Sequence, residues 1–283
     1  MELRHIQPKA EILQQHIDFF YFVKEDSPEF VSQFYAFPHY SKPLNLHKAV
    51  DYEIGDNSIT VKGKAVGEPQ ILLQGSFHKP LFIRFEGKMD KVTIIFRPLG
   101  LAHFIDVDYA RIASQHTQVF DQWSRLTSYQ SMLDKFFATE NELERVALLE
   151  ACLLSVYRPL PHYTILHQAI TMVADVITYK TIADVAQALF LTPKTLNRLF
   201  KKHLACSPMQ YRMIAQFRHS LENKYVYDQF KTVTDLAYGS NVYDLSYLTR
   251  IYKSLAKNTP KAFFTSIAPK CDDKVIFQFV DQQ

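Results

Sequence analysis

Two segments of the chain repeat one another, and that repeat limits what the surrounding sequence can build. Ile182-Ala183-Asp184-Val185-Ala186, followed by Thr192-Pro193-Lys194-Thr195-Leu196-Asn197-Arg198-Leu199-Phe200-Lys201, recurs as Val233-Thr234-Asp235-Leu236-Ala237, followed by Asp244-Leu245-Ser246-Tyr247-Leu248-Thr249-Arg250-Ile251-Tyr252-Lys253. Arg198 and Arg250 stand 52 positions apart. Each copy predicts a short helix with a small alanine where a second helix crosses closely, then a tight turn, then a helix bearing Leu-x-Arg-x-aromatic-Lys. Thr192 and Asp244 supply cap oxygens for the free amides of the following helix, and Pro193 suits its first position. This is the pattern of a helix-turn-helix.

Helical spacing turns Leu196, Leu199 and Phe200 inward in the first copy, and Leu248, Ile251 and Tyr252 inward in the second. It leaves Lys194, Asn197, Arg198 and Lys201 outward, and likewise Leu245, Ser246, Thr249 and Arg250; Thr195 and Lys253 complete the two candidate DNA-contact sets. An arginine presents donors to guanine O6 and N7, and an asparagine matches adenine N6 and N7. Lys194, Lys201 and Lys253 suit phosphates. Charge is divided accordingly: residues 162–268 hold 13 Lys/Arg against 6 Asp/Glu, whereas 1–161 hold 17 against 20 and 269–283 hold 2 against 3. Only the back half is suited to a polyanion.

The front reads differently. Six of the seven glycines (55, 63, 67, 75, 87 and 100) precede residue 101, and between them lie short alternating or β-branched runs over 30–37, 58–64, 70–73, 81–85 and 92–96. They predict an antiparallel β sandwich or small barrel over roughly 10–100. After Phe96-Arg97-Pro98-Leu99-Gly100 the spacing becomes helical, with helices expected over 127–138 and 142–157, the latter placing Leu143, Val146, Leu149, Leu153 and Val156 on one stripe. That stripe fits either packing on the sandwich or a dimer interface. Arg158-Pro159-Leu160-Pro161 breaks the pattern. The expected organisation is therefore α+β. A β-rich, cupin-like or sandwich sensor region spans 1–100, a helical connector 101–161, an all-α domain with two helix-turn-helix units 162–268, and a tail 269–283. The tail's apolar run 275–280 adds a strand or packs on the front.

Other chemistry is poorly supported. Three cysteines, Cys152, Cys206 and Cys271, form neither a disulfide framework nor a zinc set, and a cytoplasmic home is expected. No apolar run approaches a membrane span, and a charged N-terminus without an apolar h-region argues against export. His39, His47 and His78 lack metal-cupin spacing, and there is neither a G-x-S-x-G elbow nor a phosphate-binding glycine loop. No metal, cofactor or catalytic residue is assigned. The aromatic cluster Phe19-Phe20-Tyr21-Phe22 with Phe34, Tyr35 and Phe37 is core or the lining of a ligand pocket.

Residues 164–266 resemble the DNA-binding domain of the AraC/XylS transcription regulators, in which a long helix joins two helix-turn-helix units. The resemblance is carried by Asp244-x-Ser246-x-Leu248-x-Arg250, by Ser207-Pro208-x-x-Tyr211 and by Thr259-Pro260-x-x-Phe263. The front half resembles, less closely, the sensor region of a subgroup with a Phe-Arg-Pro-x-Gly motif. Phe190, Ala205, Asn241 and Lys257 stand where that family has frequent glycines, and Phe190 predicts distortion of the first turn because phenylalanine does not readily take a left-handed backbone. The resemblance implies a non-enzymatic regulator with promoter DNA, RNA polymerase, a small-molecule effector and a second copy of the chain as partners. The competing readings are a cupin-like metal-dependent enzyme with a DNA-binding tail, and a DNA binder that takes no ligand.

Overall fold

The unbroken apolar run Phe19-Phe20-Tyr21-Phe22-Val23 cannot hide on one face of a strand, and both of its faces are covered. It lies in strand β2 (Ile17–Glu25) of the computed structural model, which describes residues 4–75, 78–113, 116–178, 180–225, 245–266 and 277–279. Phe20 and Phe22 face a core shared with helices; Phe19, Tyr21 and Val23 face a second sheet.

Two sheets make up the N-terminal region. The first runs β1 (Arg4–Ile6), β2, β9 (Met89–Phe96), β4 (Lys42–His47), β7 (Gln70–Gln74), β10 (Thr117–Val119). The second runs β11 (Phe277–Phe279), β3 (Val31–Ala36), β8 (Leu81–Glu86), β6 (Ser58–Gly63), β5 (Val50–Ile54). The β6–β8 pair is parallel and the others are antiparallel. Several strands escape an alternation search for a physical reason. β2 is apolar on both faces, and β4 puts Asn45 and His47 into the sandwich interior rather than into solvent. β10 corrects the helical reading of its stretch: it closes the edge of β7, and Phe120 N–H continues the ladder to Ile71 O at 2.8 Å. The tail supplies β11, paired with β3.

Short helices α1 (Glu11–Gln14) and α2 (Tyr109–Ile112) flank the sheets, and α3 (Thr127–Phe136) and α4 (Glu142–Val156) cover the first one. Tyr129, Met132, Phe136, Val146, Leu149 and Leu153 pack on Phe20, Leu44, Val92 and Ile94. Asn141 caps α4, and the buried Arg145 grips Asp90 with two hydrogen bonds of 2.7 and 3.1 Å. Leu143, placed by the sequence on one stripe with Val146, Leu149 and Leu153, is 54% exposed, whereas 146, 149 and 153 face the sheet. No helix among the described residues is long and apolar enough to cross a membrane.

The junction with the helical C-terminal region is built by Phe96–Gly100. Arg97 N–H donates to His16 O and Gly100 N–H to Arg97 O, both at 2.8 Å. Leu99 is left-handed (φ 66) and buries its side chain among Leu166, Val173 and Leu196 of the helices beyond. Gly100 lies so close to His16 that a Cβ would stand 2.1 Å from its carbonyl oxygen. The prolines after α4 are held by His103, whose carbonyl accepts from Arg158 N–H (2.8 Å) and whose Nδ1 accepts from Leu160 N–H (3.2 Å). Then follow α5 (Tyr163–Ala174), α6 (Ile182–Ala188), α7 (Pro193–Leu204), α8 (Pro208–Tyr225), α9 (Leu245–Leu255) and α10 (Pro260–Ser266).

Gly100→Ala should lower the unfolding free energy by about 2 kcal/mol or more, since backbone must move to admit the methyl group. Gly67→Ala, whose Cβ would meet Ala49 Cβ at an ordinary 3.4 Å, should be near neutral. Urea denaturation of both variants checks the pair.

Candidate nucleic-acid interface

Helix α6 begins with a reciprocal cap: Thr181 Oγ1 accepts from Asp184 N–H (3.1 Å) and Asp184 Oδ2 accepts from Thr181 N–H (3.0 Å). Val185 and Ala186 are fully buried where α7 crosses, which is why a small residue is needed at 186. The chain then turns through Phe190, with Phe190 N–H donating to Gln187 O (3.0 Å) and Leu191 N–H to Ala186 O (2.8 Å). Thr192 Oγ1 caps α7 by accepting from Thr195 N–H at 3.1 Å, and Pro193 opens the helix. Leu196, Phe200 and Leu204 face inward with Leu166, Val173 and Tyr211. Helices α6 and α7 are therefore joined by a regular hydrogen-bonded turn. The expected distortion at Phe190 is absent: the residue takes the left-handed backbone (φ 55) and points its ring into solvent.

The outer face of α7 carries Lys194, Arg198 and Lys201, all exposed, with Asn197 and Thr195 half-buried among them. Thr195 Oγ1 is hydrogen-bonded to Thr192 Oγ1 (2.9 Å). Lys202, one position round the helix, is drawn to Asp108 at 3.3 Å. No such ion pair with Lys194, Arg198 or Lys201 occurs among the described residues.

Helix α9 repeats the arrangement. Leu248, Ile251, Tyr252 and Leu255 are buried against Ile214, Phe217 and Leu221 of α8 and Phe263 of α10. Leu245, Ser246, Arg250 and Lys253 are exposed and Thr249 half-buried on the other side. The Arg250 guanidinium lies over the Tyr247 ring at 5.5 Å, and Thr249 Oγ1 donates back to Leu245 O at 2.8 Å, so its proton is spent within the helix. The first helix of the second unit (233–238), with Ala237, Asn241 and the cap Asp244, lies outside the described residues.

After each of α7 and α9 comes a left-handed residue, Ala205 (φ 55) and Lys257 (φ 57), and then a capped helix beginning with proline. Ser207 Oγ accepts from Gln210 N–H (3.2 Å) and Thr259 Oγ1 from Ala262 N–H (3.3 Å), while Tyr211 and Phe263 anchor those helices in the two cores. Helix α8 links the cores: Tyr211 belongs to one and Phe217 to the other, and its 18 residues span about 27 Å at ~1.5 Å each. Both outer faces thus hang on one rigid rod.

A second feature lies inside the sandwich, a narrow cavity of about 60 Å³. Phe34, Ile59, Ile83 and Phe85 give it an apolar wall, and Tyr21 and Phe37 of the expected aromatic cluster also line it, whereas Phe20 and Phe22 belong to the core under the helices. Lys91 reaches into it, buried, with Nζ 3.2 Å from Asn45 Oδ1 and above the rings of Tyr21 and Phe85. Burial pulls its amine down to about 7. No carboxylate lines the cavity among the described residues. His39 and His47 stand at its margin, His39 Nδ1 accepting from Ser41 N–H and His47 Nδ1 bonded to Tyr52 Oη, both at 2.8 Å; burial holds both imidazoles well below their usual range. His78 belongs to a neighbouring recess with Lys42 and Cys206. The described residues include no group of three or more His, Cys, Asp and Glu side chains placed for a metal. Lys91, Asn45 and Arg218, which closes the cavity from α8, escaped the sequence reading. The one signal was a lysine abutting the apolar run 92–96.

No protein-family model matches the chain, and no curated protein matches it in sequence. Among solved structures the chain is similar to ToxT from Vibrio cholerae, at 8% identity and a TM-score of 0.47, over 87% of this chain and 97% of that one. Similarity extends to ToxT bound to (E)-4-(8-methylnaphthalen-1-yl)but-3-enoic acid (10% identity, TM-score 0.45, 87% and 97% covered). It extends also to ToxT bound to an unsaturated fatty acid (11% identity, TM-score 0.43, 89% and 97% covered).

Ala186→Leu should force α6 and α7 apart and cost about 1–3 kcal/mol, as overpacking of a closed contact does. A lower melting temperature with little change in total helix content, followed by circular dichroism, is the expected result.

Proposed function

We propose that the chain is a sequence-specific DNA-binding transcription regulator of AraC type whose N-terminal region takes a small-molecule effector. The observation that carries this reading is the pair α7 and α9. Each is buried on one side against α8 and its neighbours and presents cations and hydrogen-bonding groups on the other. The rod between them is of the order of one turn of B-DNA, about 34 Å, so the two helices enter successive major-groove segments on one face of the duplex. Arg198, Asn197, Arg250 and Ser246 read base edges, Leu245 offers an apolar contact for a thymine methyl, and Lys194, Lys201 and Lys253 hold phosphates. RNA polymerase is the onward partner of such a regulator at a promoter.

A second copy of the chain docks through α4, where Leu143, Ala147, Ala151 and Leu154 form an exposed stripe. Antiparallel pairing sets the acidic start of the helix, Glu140 to Glu144, beside Arg158 of its mate.

The effector occupies the cavity of the sandwich. A buried lysine without an acid beside it costs free energy unless an anion arrives or the amine stays neutral. A slender apolar carboxylic acid answers both features of the lining, its chain among Phe34, Ile59 and Ile83 and its head at Lys91. It is also the class of ligand bound in two of the ToxT structures.

Two outcomes are expected. Genomic fragments recovered by the purified chain at ~0.15 M salt should share a motif. Arg198→Ala and Arg250→Ala should each cost about 1–3 kcal/mol and relax one position of it, whereas Lys201→Ala should weaken all sequences alike. Uniform weakening by the arginine variants would contradict their role as readers. Short-chain apolar acids, the size a cavity of about 60 Å³ admits, should raise the melting temperature. Lys91→Met should abolish that shift without lowering the ligand-free value, and acid affinity should fall as pH rises through about 7, where the free amine loses its proton. Calorimetric titration across that range measures it.

A further inference from the structure

We propose that Phe190 packs its ring on the deoxyribose face of the DNA backbone beside α7, holding the first helix-turn-helix on the duplex by apolar contact. The inference rests on the DNA-binding reading above and extends it to a residue outside both outer helix faces.

Phe190 is 99% exposed, so its ring adds no burial to the fold. Its backbone is left-handed at φ 55, a region in which a Cβ is unfavourable and which glycine or asparagine occupies at less cost. Strain and exposure both act against a phenylalanine here, and among the described residues neither is offset by a contact of the ring. A strained residue of this kind is informative about what binds from outside.

The surroundings specify the occupant. Phe190 stands two residues before Thr192, at the end of α7 that leads into the groove, and the nearest outer side chains of that helix are Lys194 and Arg198. Asp184, on the preceding helix α6, is committed to the Thr181 amide at 3.0 Å. An exposed ring just ahead of a helix face that carries Lys194 and Arg198, neither ion-paired among the described residues, suits a partner that alternates anionic groups with apolar carbon. The phosphates and sugars of a DNA strand do so; an apolar protein patch would leave the cations unanswered.

Equilibrium binding of the full chain to a recovered fragment, across a salt series, tests this. Phe190→Gly and Phe190→Asn should melt no lower than the parent, because both suit a left-handed backbone. They should nonetheless bind about five- to tenfold more weakly at every salt concentration, with the salt slope unchanged, since no phosphate contact is lost. Phe190→Tyr keeps the ring and should keep the affinity. Lys194→Ala is the contrast, lowering the slope by about one. Unchanged affinity in the glycine and asparagine variants, beside a loss in Arg198→Ala, overturns the ring contact and leaves the DNA reading standing. Unchanged affinity in Arg198→Ala as well overturns that reading itself. A fall in melting temperature of both turn variants assigns the ring to the fold, and a changed salt slope assigns the effect to charge; either result overturns the proposal.

Discussion

The arrangement of the two regions depends on one buried guanidinium. Arg218, in the middle of α8, donates to Phe37 O at 2.6 Å and Pro38 O at 2.8 Å. These carbonyls end strand β3 and would otherwise be left without donors at a closed interface. With the backbone held there, the Phe37 ring is set edge-on to Phe217 and Phe263, inside the core that also seats α9. Hydrogen bonds to a charged donor contribute more than neutral ones, and an arginine buried without them would be strongly destabilising. The sheet region and the α9 core are thus joined through Tyr35 in β3 and through Phe37 and Tyr40 just beyond it.

That tie also reaches the cavity inside the sandwich. Phe37, His39 and Arg218 are at once members of the inter-region contact and part of the cavity wall. An occupant that displaces the Phe37 ring, or offers an anion to Arg218, acts on the same atoms that position α8. Coupling needs a difference in contact between two arrangements, and here the cavity wall and the core that seats α9 share Phe37 directly, without a relay between them. Tyr40 and Leu99 make the corresponding link to the core around α7, so the α7 and α9 cores each receive a wedge from the sheet side.

Legibility in the sequence followed the kind of force at work. Helix α7 and its inner face were readable because local rules agree there: a cap oxygen at Thr192, Pro193 at the helix start, and apolar spacing through Leu196 and Phe200. The strands at 31–36, 58–63, 70–74 and 81–86 were readable from alternation. What escaped was set by distant partners. β4 looked too polar to be interior because Asn45 and His47 face a polar string inside the sandwich, where Thr93 Oγ1 donates to Asn45 Oδ1 at 2.8 Å. β10 is three residues long and exists through β7. The Phe-Arg-Pro-x-Gly run was visible as a motif, but its reason, a glycine against a carbonyl 84 positions earlier in the chain, is tertiary.

The first turn shows how magnitudes decide such a conflict. A left-handed phenylalanine costs roughly 1–2 kcal/mol, and the sequence alone made that penalty look disruptive. The opposing terms belong to the packed unit: Val185, Leu196 and Phe200 are each essentially fully buried, at roughly 1.5–3 kcal/mol apiece, and the turn keeps its two backbone hydrogen bonds. Bending the turn to relieve one residue would separate α6 from α7 and expose several such side chains. The backbone therefore keeps its shape, and the penalty at Phe190 remains as local strain. The same reasoning covers Ala205 and Lys257. Each ends a helix whose inner face is already buried, so each adopts the left-handed cap that its position demands whatever its side chain prefers.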